Sequence, residues 1–268
     1  MRQNAKSKGV TMHIYDFFYK LFNKPKVKLP QNVYVGYSPV NFWYTIDPYS
    51  LARILYKNGC NLALIELIGP DEYHNENKIK MIKEKVKTFI KAMRYYDITT
   101  FVNIVNWNSE GSICKPDEWF HDLVLFFKND IGTSKIILQA ASEWSGSKAQ
   151  NWCNYLTSNW NGLKSWNHGS RPESLPPKYN MVDYHVVSIT HPLGPAGFST
   201  LINTDHSTIL SQIQNGGVRG QTANTSLLIP FINKVLQSNR SFHYYGFWHQ
   251  QIDKNAVNAI GDALKELY

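Results

Sequence analysis

The stretch Ile136-Ile137-Leu138-Gln139-Ala140-Ala141-Ser142-Glu143-Trp144 is an apolar run that ends in a carboxylate and an indole. Gly132 precedes it and Gly146 follows it, so the run is short and bounded by turns. Those features predict a buried parallel strand rather than a helix. A carboxylate is expensive to place inside a core. It is at home on the C-terminal lip of a barrel strand, where functional groups collect. Glu143 is therefore the first candidate site residue.

Outward from this strand the chain alternates. Val33–Tyr37, Asn61–Ile68, Thr99–Val105 and Lys135–Ala141 read as the first four strands. Between and after them fall four amphipathic stretches: Pro48–Asn58, Lys78–Tyr96, Pro116–Asn129 and Ala149–Trp160. The first opens on Asp47-Pro48, an N-cap followed by proline in the first turn, and Gly59 closes it. In the second, Ile79, Ile82, Val86, Phe89, Ile90 and Met93 share a face. The second half is less regular. It predicts strands at Leu163–His168, Met181–Ser188, Thr200–Thr204 and Ser241–Trp248, and helices at Thr222–Gln237 (with Pro230 expected to kink it) and Lys254–Leu267. Strands alternating with helices in one chain of 268 residues imply an α/β protein, a (β/α)8 TIM barrel over residues 31–268. The main alternative is a doubly wound open sheet. Such a sheet usually has a Gly-rich turn after its first strand, and Tyr37-Ser38-Pro39-Val40-Asn41 is not one.

Residues 1–30 stand apart as a basic arm. The chain carries a net charge of +8, and the arm holds Arg2, Lys6, Lys8, Lys20, Lys24, Lys26 and Lys28 against the single acid Asp16. The arm therefore accounts for +6 and leaves the rest nearly neutral. This distribution argues against a nucleic-acid partner. Within the arm, Ile14, Phe17, Phe18, Leu21 and Phe22 fall at helical spacing before Pro25 and Pro30 stop the pattern. Two readings stay open: a helix closing the bottom of the domain, or a docking or membrane-surface helix whose basic flanks meet an anionic partner. Asp16 and Lys20 interrupt the apolar part, so no classical secretory signal is read here and the compartment is left open. No apolar stretch is long enough to span a bilayer. Cys60, Cys114 and Cys153 are too few and too scattered for a disulfide framework or zinc site.

The predicted strand ends collect a consistent set of side chains. The first ends at Tyr37, the second carries Glu66, and the third leads into Asn106, Trp107 and Asn108. The fourth ends at Glu143 and Trp144, the sixth carries Asp183, Tyr184 and His185, the seventh leads into Asp205 and His206, and the eighth ends at Trp248. Acids, amides and aromatics suit sugars. Pyranose rings offer flat C–H faces to indoles and phenols, and their hydroxyls need amide and carboxylate partners. The expected ligand is a carbohydrate, with no cofactor and no metal.

In this arrangement the chain resembles the clan A glycoside hydrolases, the TIM-barrel group of retaining glycosidases. In that group the fourth strand ends in Asn-Glu, the seventh in a Glu nucleophile, and the eighth often offers a Trp. The resemblance implies that Glu143 is the general acid/base and Trp248 a sugar platform. It implies that Asp205 is the partner carboxylate, attacking the anomeric carbon or activating water. Ser142 replaces the family's Asn, and Asp205 is an Asp where the family has Glu. Asp183, Glu66 and Asp253 are the reserves for the second carboxylate. Separation decides the outcome: about 5 Å favours a covalent intermediate, about 6.5–9.5 Å inversion.

Three other readings compete. His185, His206 and His249 could gather a metal, but the first strand lacks a ligand pair. Gly216-Gly217-Val218-Arg219-Gly220 ahead of a helix is a candidate anion loop or a flexible cover. The strongest rival is a non-catalytic barrel that binds glycan or serves as a structural module in a virion or cell-surface assembly.

Overall fold

The computed structural model describes residues 14–24, 27–39, 43–67, 75–104, 118–140, 147–167, 183–189, 209–214, 225–237, 241–245 and 252–267. Eight parallel strands run in chain order: β1 Val35–Ser38, β2 Leu62–Leu67, β3 Thr99–Ile104, β4 Ile136–Gln139, β5 Leu163–Asn167, β6 Tyr184–Ile189, β7 Ile209–Gln214 and β8 Ser241–Tyr245. Each pairs with the next, and β8 returns to β1, so the sheet closes on itself. The architecture is an α/β, TIM-barrel-like fold, and closure rules out the doubly wound open sheet.

The helices are α1 (residues 14–22), α2 (Pro48–Lys57), α3 (Glu76–Tyr95), α4 (Glu118–Phe126), α5 (Ser147–Asn159), α6 (Thr225–Gln237) and α7 (Lys254–Leu267). The cap of α2 forms as its sequence predicts. Asp47 accepts hydrogen bonds from the Tyr49 and Ser50 backbone N–H groups, Pro48 opens the first turn, and Gly59 leaves with φ +75°. Helix α4 runs into a π turn, Phe127–Ile131, which Gly132 ends at φ 75°. Pro230 lies inside α6 without ending it.

Two apolar layers result from strand alternation. The outer one lies between strands and helices and holds Val35, Tyr37, Ile65, Val102, Leu138, Phe242 and Tyr244 with the helix faces. The inner one fills the barrel floor with Leu62, Leu64, Phe101, Ile137 and Tyr184, against Tyr34 and Leu163. Gly36 is required where β1 meets β2. A Cβ there would lie 1.9 Å from the Leu62 carbonyl oxygen, so only glycine lets the strands close at this point.

One strand differs from its sequence-based expectation. The seventh lies at Ile209–Gln214, not at Thr200–Thr204. Its residues, Ile-Leu-Ser-Gln-Ile-Gln, carry glutamine at positions 212 and 214, and Gln212 shares a register row with buried His243. That polarity breaks the continuous apolar pattern by which a buried strand is recognised.

Candidate functional site

All strands point the same way, so their C-terminal ends form one mouth. The inward register above the apolar floor is polar. Ser38, Asn103, Gln139 and Asn167 are buried there, and Glu66 is half-buried. Register places them in adjoining positions, with Glu66 opposite Asn103 and Asn103 opposite Gln139. The side chains connect accordingly. Asn103 Nδ2 donates to Glu66 Oε1 at 3.0 Å, and Gln139 Nε2 donates to Asn103 Oδ1 at 2.5 Å. Glu66 is thus held by a relay of amides across β2, β3 and β4. Trp43 Nε1 donates to the Glu66 carbonyl oxygen at 2.6 Å and pins the end of β2. A carboxylate facing a barrel lumen on rigid strands, with an amide fixing one oxygen, can act as an acid, a base or a sugar-hydroxyl acceptor.

Beneath this belt lies His243 on β8. It is fully buried, its ring 6.0 Å from that of Phe101, and neither ring nitrogen has a hydrogen-bond partner among the described residues. Burial alone pushes its pKa down to about 3, so the imidazole is neutral at ordinary pH. The barrel therefore changes from an apolar floor with a neutral imidazole to a polar mouth.

The structure separates the residues expected at the site. Glu143 and Trp144 follow the end of β4, Asn106, Trp107 and Asn108 follow β3, and Trp248 follows β8. These residues keep their expected chain positions beyond strand C-termini and lie outside the described residues. Asp205 and His206 also lie outside them, but their premise fails: they precede β7 instead of following it. From Ile209 to the start of α6 the sequence contains no Asp or Glu.

Five more of the expected residues lie away from the lumen side of the mouth. Tyr184 opens β6, at the end opposite the mouth, and packs on Tyr34 with ring centroids 5.5 Å apart. Asp183 precedes it, accepts from the Lys164 backbone N–H at 2.8 Å and closes the barrel base. Neither is placed to meet a ligand at the mouth. His185, second in β6, pairs in register with Trp166 and Ile209, also toward the base. Tyr37 faces the helices instead of the lumen. It is buried, stacked on Tyr244 at 6.1 Å, and its hydroxyl accepts from the Asp253 N–H at 2.9 Å. Asp253 in turn caps α7 through the Ala256 N–H, which removes it from the reserves. Of the reserve carboxylates, Glu66 alone lies on the lumen side of the mouth.

Sequence reading placed Ser38 at the end of the first strand but missed Asn103, Gln139 and Asn167. Part of their signal was present: in β3 and β4 an amide, Asn103 or Gln139, follows apolar residues at the last inward position, whereas β5 (Leu-Lys-Ser-Trp-Asn) has no such apolar background.

No protein-family model matches this sequence, and no curated protein matches it. Solved structures do match. A tri-modular family 5 endo-β-1,4-glucanase from Bacillus licheniformis superposes with a TM-score of 0.64 at 10% identity, covering 88% of this chain and 60% of that one. This chain thus spans about 60% of that enzyme's length. A family 5 xyloglucanase from Bacteroides ovatus gives 0.60 at 9% identity, covering 87% and 75% of the two chains. A family 113 β-1,4-mannanase gives 0.58 at 9% identity, covering 87% and 98%. At these identities the likeness is one of fold: the chain has a clan A glycoside hydrolase-like fold.

Proposed function

We propose that this protein is a glycoside hydrolase-like barrel that takes a poly- or oligosaccharide at the mouth and cleaves it with Glu143 and a second carboxylate, Glu66. The observation that carries the reading is the amide-held Glu66 at the mouth of a barrel whose structural relatives are glycoside hydrolases. In this reading Glu143 protonates the leaving glycosidic oxygen. Glu66, fixed by Asn103, takes a proton from the attacking water or stabilises the developing cationic ring. Trp107, Trp144 and Trp248 supply platforms for sugar faces, and Asn106 and Asn108 supply hydroxyl partners. In this reading residues 31–268 make one TIM-barrel domain, with residues 1–30 a basic extension outside it.

A second reading has one specific observation in its favour. The chain from β7 to α6 lacks any acid, so the position from which the resemblance draws its nucleophile is empty of carboxylates. That favours a barrel that binds glycan without cleaving it.

One experiment separates the two. The wild type and Glu143→Gln are assayed for binding and turnover on β-1,4-glucan, xyloglucan and mannan. A loss of about 10²–10⁴-fold in turnover with retained binding supports cleavage. Binding by both forms with turnover by neither supports the binding module. Neither binding nor turnover on any polysaccharide overturns both.

A further inference from the structure

Helix α1 is docked the wrong way round for a helix that closes a core. Its polar residues face the barrel. Asp16 is fully buried, bonded to Arg53 Nη1 at 2.8 Å and to the Tyr96 hydroxyl at 2.6 Å. Lys20 Nζ donates to the Tyr95 carbonyl at 2.6 Å, and Tyr19 packs edge-on to Tyr96. The opposite face carries Ile14, Phe17, Phe18, Leu21 and Phe22, all exposed, with Phe17 at 60% and Phe22 at 78%. These positions follow the i, i+3, i+4, i+7, i+8 pattern that normally turns inward. The phenylalanines form one patch: Phe17 meets Phe18 at 5.7 Å and Phe18 stacks on Phe22 at 6.3 Å. A contiguous aromatic face of this kind marks a contact surface.

The charge around it selects the occupant. Asp16, the arm's one acid, is neutralised inside by Arg53. Arg2, Lys6, Lys8, Lys24, Lys26 and Lys28 flank the apolar face in sequence with nothing acidic among them. We propose that α1 is an interfacial anchor: its Phe/Leu face enters the headgroup boundary of an anionic bilayer while the flanking lysines pair with lipid phosphates. A second copy of the chain would set two such basic arms against each other. Nine residues span about 13 Å, too little to approach the area a stable dimer buries. No described helix is long and apolar enough to cross a membrane, so the contact is with the surface. This inference is independent of the glycosidase reading.

The test is co-sedimentation of the full-length protein with vesicles of phosphatidylcholine alone and of phosphatidylcholine with 30 mol% phosphatidylglycerol, at low and high salt (about 30 mol% being enough for a strongly negative surface). Three chains are compared: wild type, Phe18→Glu/Phe22→Glu, and Lys24→Gln/Lys26→Gln/Lys28→Gln. All changes in the described residues are at exposed positions, and circular dichroism melts verify that the fold is kept. The wild type is expected to pellet with the anionic vesicles and to be released by salt. Each variant is expected to partition about tenfold or more weakly. A wild type that stays in solution with anionic vesicles at low salt overturns the proposal. So does equal binding by the wild type and Phe18→Glu/Phe22→Glu, or a wild-type dimer that the same substitution dissociates while no vesicle binding is seen.

Discussion

Asn103 stands between two partners, donating to Glu66 at 3.0 Å and accepting from Gln139, so one amide joins three strands at the barrel mouth. Asn103→Ala would remove the donor to Glu66 Oε1 on one side and the acceptor of the Gln139 amide on the other. The expected cost is about 1–3 kcal/mol. Urea denaturation measures it, and a loss well below this range would show that Glu66 is held by other groups.

Glu66 should also matter to chemistry. If it acts as the second carboxylate, Glu66→Gln lowers turnover by about 10²-fold or more while leaving glycan affinity within a few-fold. A variant whose affinity falls while kcat holds would place Glu66 in binding instead. Steady-state kinetics on the best polysaccharide of the panel distinguishes the outcomes.

His243 makes stability depend on pH. Its folded pKa, about 3, lies below the ordinary value of 6.5, so between these values the unfolded chain binds a proton that the folded protein refuses. Its contribution is therefore intact above pH 6.5 and declines as pH falls toward 3, at up to about 1.4 kcal/mol per pH unit. Between pH 7 and pH 5 this amounts to about 2 kcal/mol. His243→Leu should lose that much less than the wild type over the same interval in urea melts. Parallel losses in the two proteins would assign the pH dependence to other groups.

Gly36→Ala should prevent the barrel from closing. The new methyl would overlap the Leu62 carbonyl, which is backbone and cannot swing aside. A destabilisation beyond about 4 kcal/mol is expected, enough to remove most soluble protein. Accumulation of a cooperatively melting variant would contradict the tight approach of β1 to β2.

Asp16→Ala would leave the Arg53 guanidinium and the Tyr96 hydroxyl without their acceptor. Removing one partner of a buried pair costs about 3–5 kcal/mol. Arg53 is partly exposed, at 19%, so the lower end or less is expected. The change should free α1 before the barrel melts. Limited proteolysis should then cut near residue 24 at a temperature where the wild type is intact.

Most of the fold was legible because buried parallel strands are continuous apolar runs. β2 and β4 are such runs up to their last inward residue, and α7 runs from Lys254 to Leu267 just as its spacing predicts. β7 was not legible, since Ile-Leu-Ser-Gln-Ile-Gln looks half-solvated while Thr200-Leu201-Ile202 nearby looks like a strand. That one misplacement carried Asp205 into the site. Tyr37 and Tyr184 were misread for another reason. Strand membership does not say which side a residue faces or which end it occupies, and only register settled that Tyr37 faces the helices and Tyr184 sits at the base. The direction of α1 was equally hidden, because an amphipathic pattern does not reveal that its polar side is the one that docks.

The place where α1 fastens has a geometric corollary. Its grip on Tyr95 and Tyr96 lies where α3 gives way to β3, at the foot of the staves. A protein moored by that foot would hold its cup upward, open to the surrounding medium. The sugars within reach would then be those arriving from solution or from a facing surface, and not the headgroups of the sheet of lipid on which it stands.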